Sequence, residues 1–204
     1  MANFTHEHWS MVQEESCYEG FFKLIRYHFK HRLFEGGESP VLSREIFVRG
    51  DASCVLLYDP DKDSIVLVEQ FRIGGLHHSD SPWMLELVAG INEESELPAD
   101  VVVREAQEEA GADVLDLMHI YEFYPSPGGS TERIHLFVGL VHSEGLGGVH
   151  GLEEEGEDIK VHVIGFDKAM EMLKDNKIDN SPAIIALQWL ALNKQDVNEH
   201  WSGK

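Results

Sequence analysis

Two segments, ASCVLLYD (52–59) and SIVLVEQF (64–71), are apolar at almost every position and join across Asp59-Pro60-Asp61-Lys62-Asp63. A strand with one wet face alternates apolar and polar residues, so unbroken apolar runs imply strands covered on both faces. These runs predict a hairpin inside a sheet that carries further layers above and below. With 204 residues, the chain is long enough for one substantial core. By contrast, FFKLIRYHFKHRLF (21–34) alternates. Ile25, Tyr27, Phe29 and Leu33 fall on one face, and Arg26, His28, Lys30 and Arg32 on the other, as in a half-buried antiparallel strand. EGGESP (35–40) is a turn and VLSREIFVRG (41–50) a second such strand.

Downstream, WMLELVAG (83–90) reads as one short strand. Pro98 and Gly111 bracket a helix over 98–110, with Val101, Val102, Ala106 and Ala110 as its core stripe. VLDLMHIYEFY (114–124) and RIHLFVGLVH (133–142) are strands around the turn PSPGGSTE. Residues 143–158 contain five glycines and no periodicity, a loop of a length that usually serves function. IKVHVIGF (159–166) is a strand, and helices follow at 167–175 and 181–195, the latter with Ser181 as cap and Pro182 first in the helix. The pattern predicts an α/β fold, an α/β/α sandwich with a mixed sheet. Residues 1–50 form a strand-rich extension whose first residues are frayed, and residues 51–204 form the main domain.

Charge narrows the partners. Against 16 Lys and Arg stand 37 Asp and Glu, a net −21, which repels nucleic acid and anionic membrane. An anionic substrate would then need local positive charge. No apolar run approaches the ~20 residues that span a bilayer. The start, MANFTHEHWSMVQEES, has neither a basic nor an apolar stretch of a secretory signal, and Cys17 and Cys54 read as reduced thiols, so a cytoplasmic location is expected. The twelve histidines show no metal-type spacing: His28 and His31 point to opposite faces of their strand, and His77-His78 sits in a polar turn. Trp83 and Trp189 read as core residues.

The helix at 98–110 carries an electrostatic oddity. Glu105, Glu108 and Glu109 fall at i, i+3 and i+4, and like charges so placed repel. No Lys or Arg follows at i+4 of Glu105 or Glu109, and negative charge near a helix C-terminus opposes the macrodipole. The cost is about 1 kcal/mol, against a total stability of about 5–15 kcal/mol. A hard divalent cation relieves it, because Mg²⁺ takes carboxylate oxygens and keeps other positions for water and phosphate.

These residues resemble the Nudix hydrolase signature: Gly90, five residues, Glu96, seven residues, Arg104-Glu105, Ala106, one residue, Glu108-Glu109, one residue, Gly111, then Ala112. Seven fixed identities at fixed spacing arise by chance roughly once in 10⁸ windows. Pro127, sixteen residues beyond Gly111, together with SPGGSTER (126–133), EQFRI (69–73) and GLEEEGEDIKVHV (151–163), is similar to the bacterial ADP-ribose pyrophosphatase subfamily.

The resemblance implies a strand–loop–helix built from this box, two or three Mg²⁺ or Mn²⁺ ions per site, and hydrolysis of ADP-ribose to AMP and ribose 5-phosphate. Glu105, Glu109, Glu157 and the Ala89 carbonyl would ligate the ions, with Glu108 beside them, and Glu155 would be the base. Arg44, Arg49 and Arg72 would approach the pyrophosphate, while Phe21 and Glu132 would contact adenine and terminal ribose. Gly90, Glu96, Arg104 and Gly111 would be structural. Some contacts would come from the partner subunit of a homodimer with exchanged N-terminal strands. Two alternatives stand beside this: a pyrophosphatase for another nucleoside diphosphate sugar, and a non-catalytic ligand sensor, against which the unbroken box and the acidic charge argue.

Overall fold

All eight residues of β4 (Ala52–Asp59) are buried in the computed structural model, as are six of the eight in β5 (Ser64–Phe71). The structure describes residues 4–77 and 80–203, with Glu155 described by its backbone alone. The turn expected at His77-His78 therefore lies partly outside the described residues. The chain divides into two units, one comprising residues 51–123 with 133–204, the other residues up to Gly50 with Tyr124–Glu132.

In the larger unit, β4 and β5 form the centre of an eight-stranded sheet. Further members are β6 (Trp83–Glu86), β7 (Val88–Ile91), β8 (Asp116–Phe123), β9 (Ile134–Leu140), β10 (Gly148–His150) and β11 (Ile159–Gly165). The path runs β10-β11-β5-β4-β9-β8, with β6 on β5 and β7 on β4. β4 and β9 run parallel and the other pairs antiparallel, so the sheet is mixed.

The apolar runs divide between two cores. Val55, Leu57, Val66 and Val68 pack against Val102, Ala106 and Ala110 of α1 (Pro98–Ala110). Leu56, Tyr58, Ile65 and Leu67 pack on the opposite face against α2 (Phe166–Lys174) and α3 (Ser181–Trp201). The unit is an α/β/α sandwich, and absent alternation is what signalled the two covering layers. No helix among the described residues is long and apolar enough to cross a membrane.

Three local expectations need correction. WMLELVAG is two strands rather than one, because the chain changes partner from β5 to β4 at the buried Leu87. Asn180, not Ser181, caps α3: its side chain accepts from the Ala183 N–H and also donates to the Leu85 carbonyl at 2.7 Å. Trp83 is exposed at the start of β6, where it meets Phe71 edge-on at 5.2 Å; Trp189 does pack against the core.

The smaller unit is a three-stranded antiparallel sheet of β1 (Trp9–Glu19), β2 (Lys23–His31) and β3 (Leu42–Val48). His6–His8, expected to fray, form a 3-10 turn capped by Thr5, and β1 follows directly. Ten of its eleven side chains are exposed, so no burial pattern marks it in sequence, and backbone pairing with β2 holds it through two register shifts.

Candidate active site

The helix carrying the three glutamates begins without a side-chain cap at Leu97; Pro98 supplies the first-turn conformation instead. Its end is set by Gly111, at φ 61°, whose N–H donates to the Gln107 carbonyl at 3.0 Å.

Burial sorts the glutamates. Glu109 is only 3% exposed and lies on the same helix stripe as Val102 and Ala106. Its carboxylate accepts the Ala89 N–H at 3.1 Å, and among the described residues it has no ion pair with Lys or Arg. Burial, together with the charges of Glu105 and Glu157, pushes its pKa up to about 8, against the opposing pull of the Ala89 N–H and of Arg72. Burial also raises Glu105, partly offset by the adjacent Arg104 guanidinium.

Gly90 is the floor of this site: a Cβ there would overlap Glu105 Oε1. Arg104 Nη1 donates to Glu105 at 2.8 Å and to Glu108 at 3.0 Å, while Nε and Nη2 reach Glu96 at 3.0 and 3.3 Å. The relief that the sequence lacked at i+4 thus comes from the N-terminal side. The hydrogen bonds to Arg104 hold Glu96 below the usual carboxylate range.

Glu157 arrives from the glycine-rich loop. That loop is not wholly irregular, since it contains β10 and a 3-10 turn at Glu153–Glu155. Leu152 N–H donates to Glu157 Oε2 at 3.1 Å, and Glu157 N–H returns to the Leu152 carbonyl at 3.2 Å. Glu155 ends the 3-10 turn, and Gly156 follows at φ 72°. Arg72, just past β5, donates through Nε to Glu86 at 2.7 Å. Glu86 was not singled out from sequence; its only signal is that it interrupts the apolar stretch WMLELV.

The remaining candidates belong to the smaller unit and fall into two groups. Arg49 sits 5.1 Å over the Phe22 ring and pairs with Glu132 at 3.2 Å. Phe21, 87% exposed in the β1–β2 turn, packs edge-on against that same Phe22. Arg44 is elsewhere, lining an aromatic groove of about 420 Å³ with Trp9, Tyr27, Phe29 and Pro127.

Among the described residues no three acidic, His or Cys side chains stand close enough to make a finished cation cage. Arg104 accounts for part of this, holding the carboxylates of both Glu105 and Glu108. The donor set nevertheless fits a hard cation. It is all oxygen, it includes a buried carboxylate without a cationic partner, and Gly90 leaves open the space that Glu105 enters.

Known proteins are similar to this chain in sequence and in fold. Residues 48–193 match the family model described as NUDIX domain. The ADP-ribose pyrophosphatase of Haemophilus influenzae is 49% identical over 204 residues, covering 98% of this chain and 94% of that protein. The ADP-ribose pyrophosphatase of Escherichia coli K12 is 45% identical over 192 residues, covering 94% and 92%. A crystal structure of an ADP compounds hydrolase superposes with a TM-score of 0.68 at 16% identity, over 93% of this chain and 97% of that one, a likeness of fold. With its box running unbroken from β7 through α1, its sandwich matched and the family model spanning most of its length, this chain belongs to the Nudix family.

Proposed function

We propose that this protein hydrolyses the pyrophosphate bond of ADP-ribose to AMP and ribose 5-phosphate with a divalent cation, Mg²⁺ or Mn²⁺. The observation that carries the reading is the desolvated carboxylate pair Glu105 and Glu109 on α1, found in a chain 49% identical to a protein named ADP-ribose pyrophosphatase.

Glu105, Glu109, Glu157 and the Ala89 carbonyl would hold two or three ions, with Glu108 beside them. When bound, the cation supplies charge neutralisation at the phosphoryl oxygens and a water of lowered pKa. The chain's own residues do the rest. Water adds to one phosphorus, the bond to the bridging oxygen breaks, and that oxygen leaves on the other phosphate. Glu155 accepts the water's proton. Arg72, held by Glu86, and Arg44 and Arg49 supply the positive charge an anionic substrate needs at a net charge of −21. Phe21 and Glu132 contact adenine and terminal ribose.

The working form is a cytoplasmic homodimer with exchanged N-terminal strands. The long, exposed β1, with Met11, Val12 and Tyr18 uncovered, supports this, since such edges are normally paired.

Incubation of the protein with ADP-ribose and a panel of other nucleoside diphosphate sugars, in Mg²⁺ and in Mn²⁺, tests the reading. AMP and ribose 5-phosphate formed fastest from ADP-ribose is the expected result. Faster cleavage of another sugar nucleotide moves the assignment to that substrate, and no cleavage of any reinstates the ligand sensor.

A further inference from the structure

The C-terminal end of α1 is closed by a residue that plays no part in the reaction proposed above. The last turn of a helix leaves carbonyls without intrahelical donors. Here the Ala106 and Gln107 carbonyls are taken by the Ala112 and Gly111 N–H groups, and the Glu108 carbonyl accepts the N–H of Gly151 at 3.4 Å. The residue before Gly151 is His150, the last of β10, and its imidazole lies directly on Gly111. A Cβ at 111 would stand 2.8 Å from His150 Cε1. His150 Nε2 lies 2.9 Å from the Gly147 carbonyl, so that nitrogen carries the proton and the ring is fixed in orientation. Gly111 is therefore confined twice, by its left-handed backbone and by the ring above it.

The same seat leads to Glu157. Gly151, at φ 101°, brings its backbone so close to Glu157 that a Cβ would stand 2.7 Å from the glutamate Cβ. Leu152 then grips the Glu157 carboxylate through its N–H. From the cap of α1 to a carboxylate of the candidate cation site, the path runs through three consecutive residues. We infer that His150 is a positioning residue: by seating the loop on the end of α1 at Gly111, it sets where Glu157 stands relative to Glu105 and Glu109. This rests on the divalent-cation reading of the site, and it assigns to His150 a role in cation affinity that touches neither substrate nor ion.

The test is Mn²⁺ binding to the EDTA-stripped full-length protein, followed by electron paramagnetic resonance of the free ion, without substrate. His150→Ala, with wild-type circular dichroism, is expected to bind Mn²⁺ about 10-fold more weakly. In a Glu157→Gln background the same change should add less than about twofold, because the path to the ion has already been cut. Wild-type affinity in folded His150→Ala overturns the inference, and so does an equal loss in both backgrounds. Should His150→Ala fail to fold, His150→Gln takes the ring off Gly111 and keeps an N–H for the Gly147 carbonyl. A loss of about threefold then supports the inference and wild-type affinity rejects it. Since no nucleotide is present, a wild type that binds Mn²⁺ yet cleaves no ADP-ribose would reject the proposed activity while leaving this comparison intact.

Discussion

The carboxylate of Glu105 occupies the space that any side chain at Gly90 would need. Gly90 has no positive φ, so its backbone does not demand glycine; the demand comes from Glu105. In Gly90→Ala the displaced atoms are Cγ, Cδ and Oε1 of Glu105, so that side chain takes another rotamer and gives up its place beside Arg104. Stability should change by less than about 1 kcal/mol, while Mg²⁺-dependent turnover falls about 10- to 100-fold. Melting in EDTA, set against rate as a function of Mg²⁺, separates the two effects.

Glu109 gives the cation-free protein a pH dependence of definite sign. Its folded pKa, about 8, is raised above the ordinary 4.5, so the folded state holds a proton that the unfolded chain releases. The associated stability is full below about 4.5 and is lost as pH rises to about 8. In EDTA the wild type should lose melting temperature across this window relative to Glu109→Gln. Added Mg²⁺ should raise the wild-type melting temperature more at pH 8 than at pH 5.5. Parallel melting curves for the two proteins would refute the assignment.

The two glutamates with different proposed tasks should fail differently. Glu109→Gln is expected to lower ADP-ribose turnover at least 100-fold and to weaken Mn²⁺ binding, in line with the cost of a missing ligand. Glu155→Gln should lower turnover about 10²- to 10⁴-fold with Mn²⁺ affinity unchanged, the pattern of a lost base. Near-wild-type turnover in both would remove the site from α1 and its loop.

Far from the site, Asp59 joins the β4–β5 turn to the chain after β9. Its carboxylate accepts the N–H and Oγ–H of Ser143 at 2.8 and 2.7 Å, and the N–H groups of Asp61 and Lys62 at 3.1 and 3.2 Å. Burial pushes its pKa up, but these donors outweigh burial and hold it below the ordinary 3.8. The stability this lends is full above that value and is lost as pH falls through the lower folded pKa. Asp59→Asn should cost about 1–3 kcal/mol in urea denaturation at pH 7, and the difference should shrink in acid.

Much of the sandwich could be read from the sequence, because burial on both faces leaves a mark in every residue of a strand. β4 and β5 carry that mark, and Pro98 and Gly111 bracket α1 by backbone chemistry alone. β1 escaped because its side chains face solvent and its order comes from hydrogen bonds that any residue can make. Asn180 escaped as a cap because its reach to the Leu85 carbonyl is a tertiary contact.

The acidic trio was legible as chemistry, and the resemblance gave its members different tasks, but their packing was not legible. Spacing puts Glu105, Glu108 and Glu109 on adjoining parts of one helix. Only packing shows that Glu109 lies in the core stripe and that Arg104 attends the other two. His150 and Glu86 had no sequence signal of comparable strength, since each acts through a neighbour that the sequence places far away.

The hydrogen bonds between Leu152 and Glu157 close a ring in the chain, and Glu153–Gly156 hang from it. Added or deleted residues in that pendant would change its reach without passing strain to the carboxylate at its base. Glu155 travels with that pendant, so a change in its length resets the proposed base against the substrate while Glu157 stays where it is. The loop separates a carboxylate that is anchored from one whose reach can be tuned.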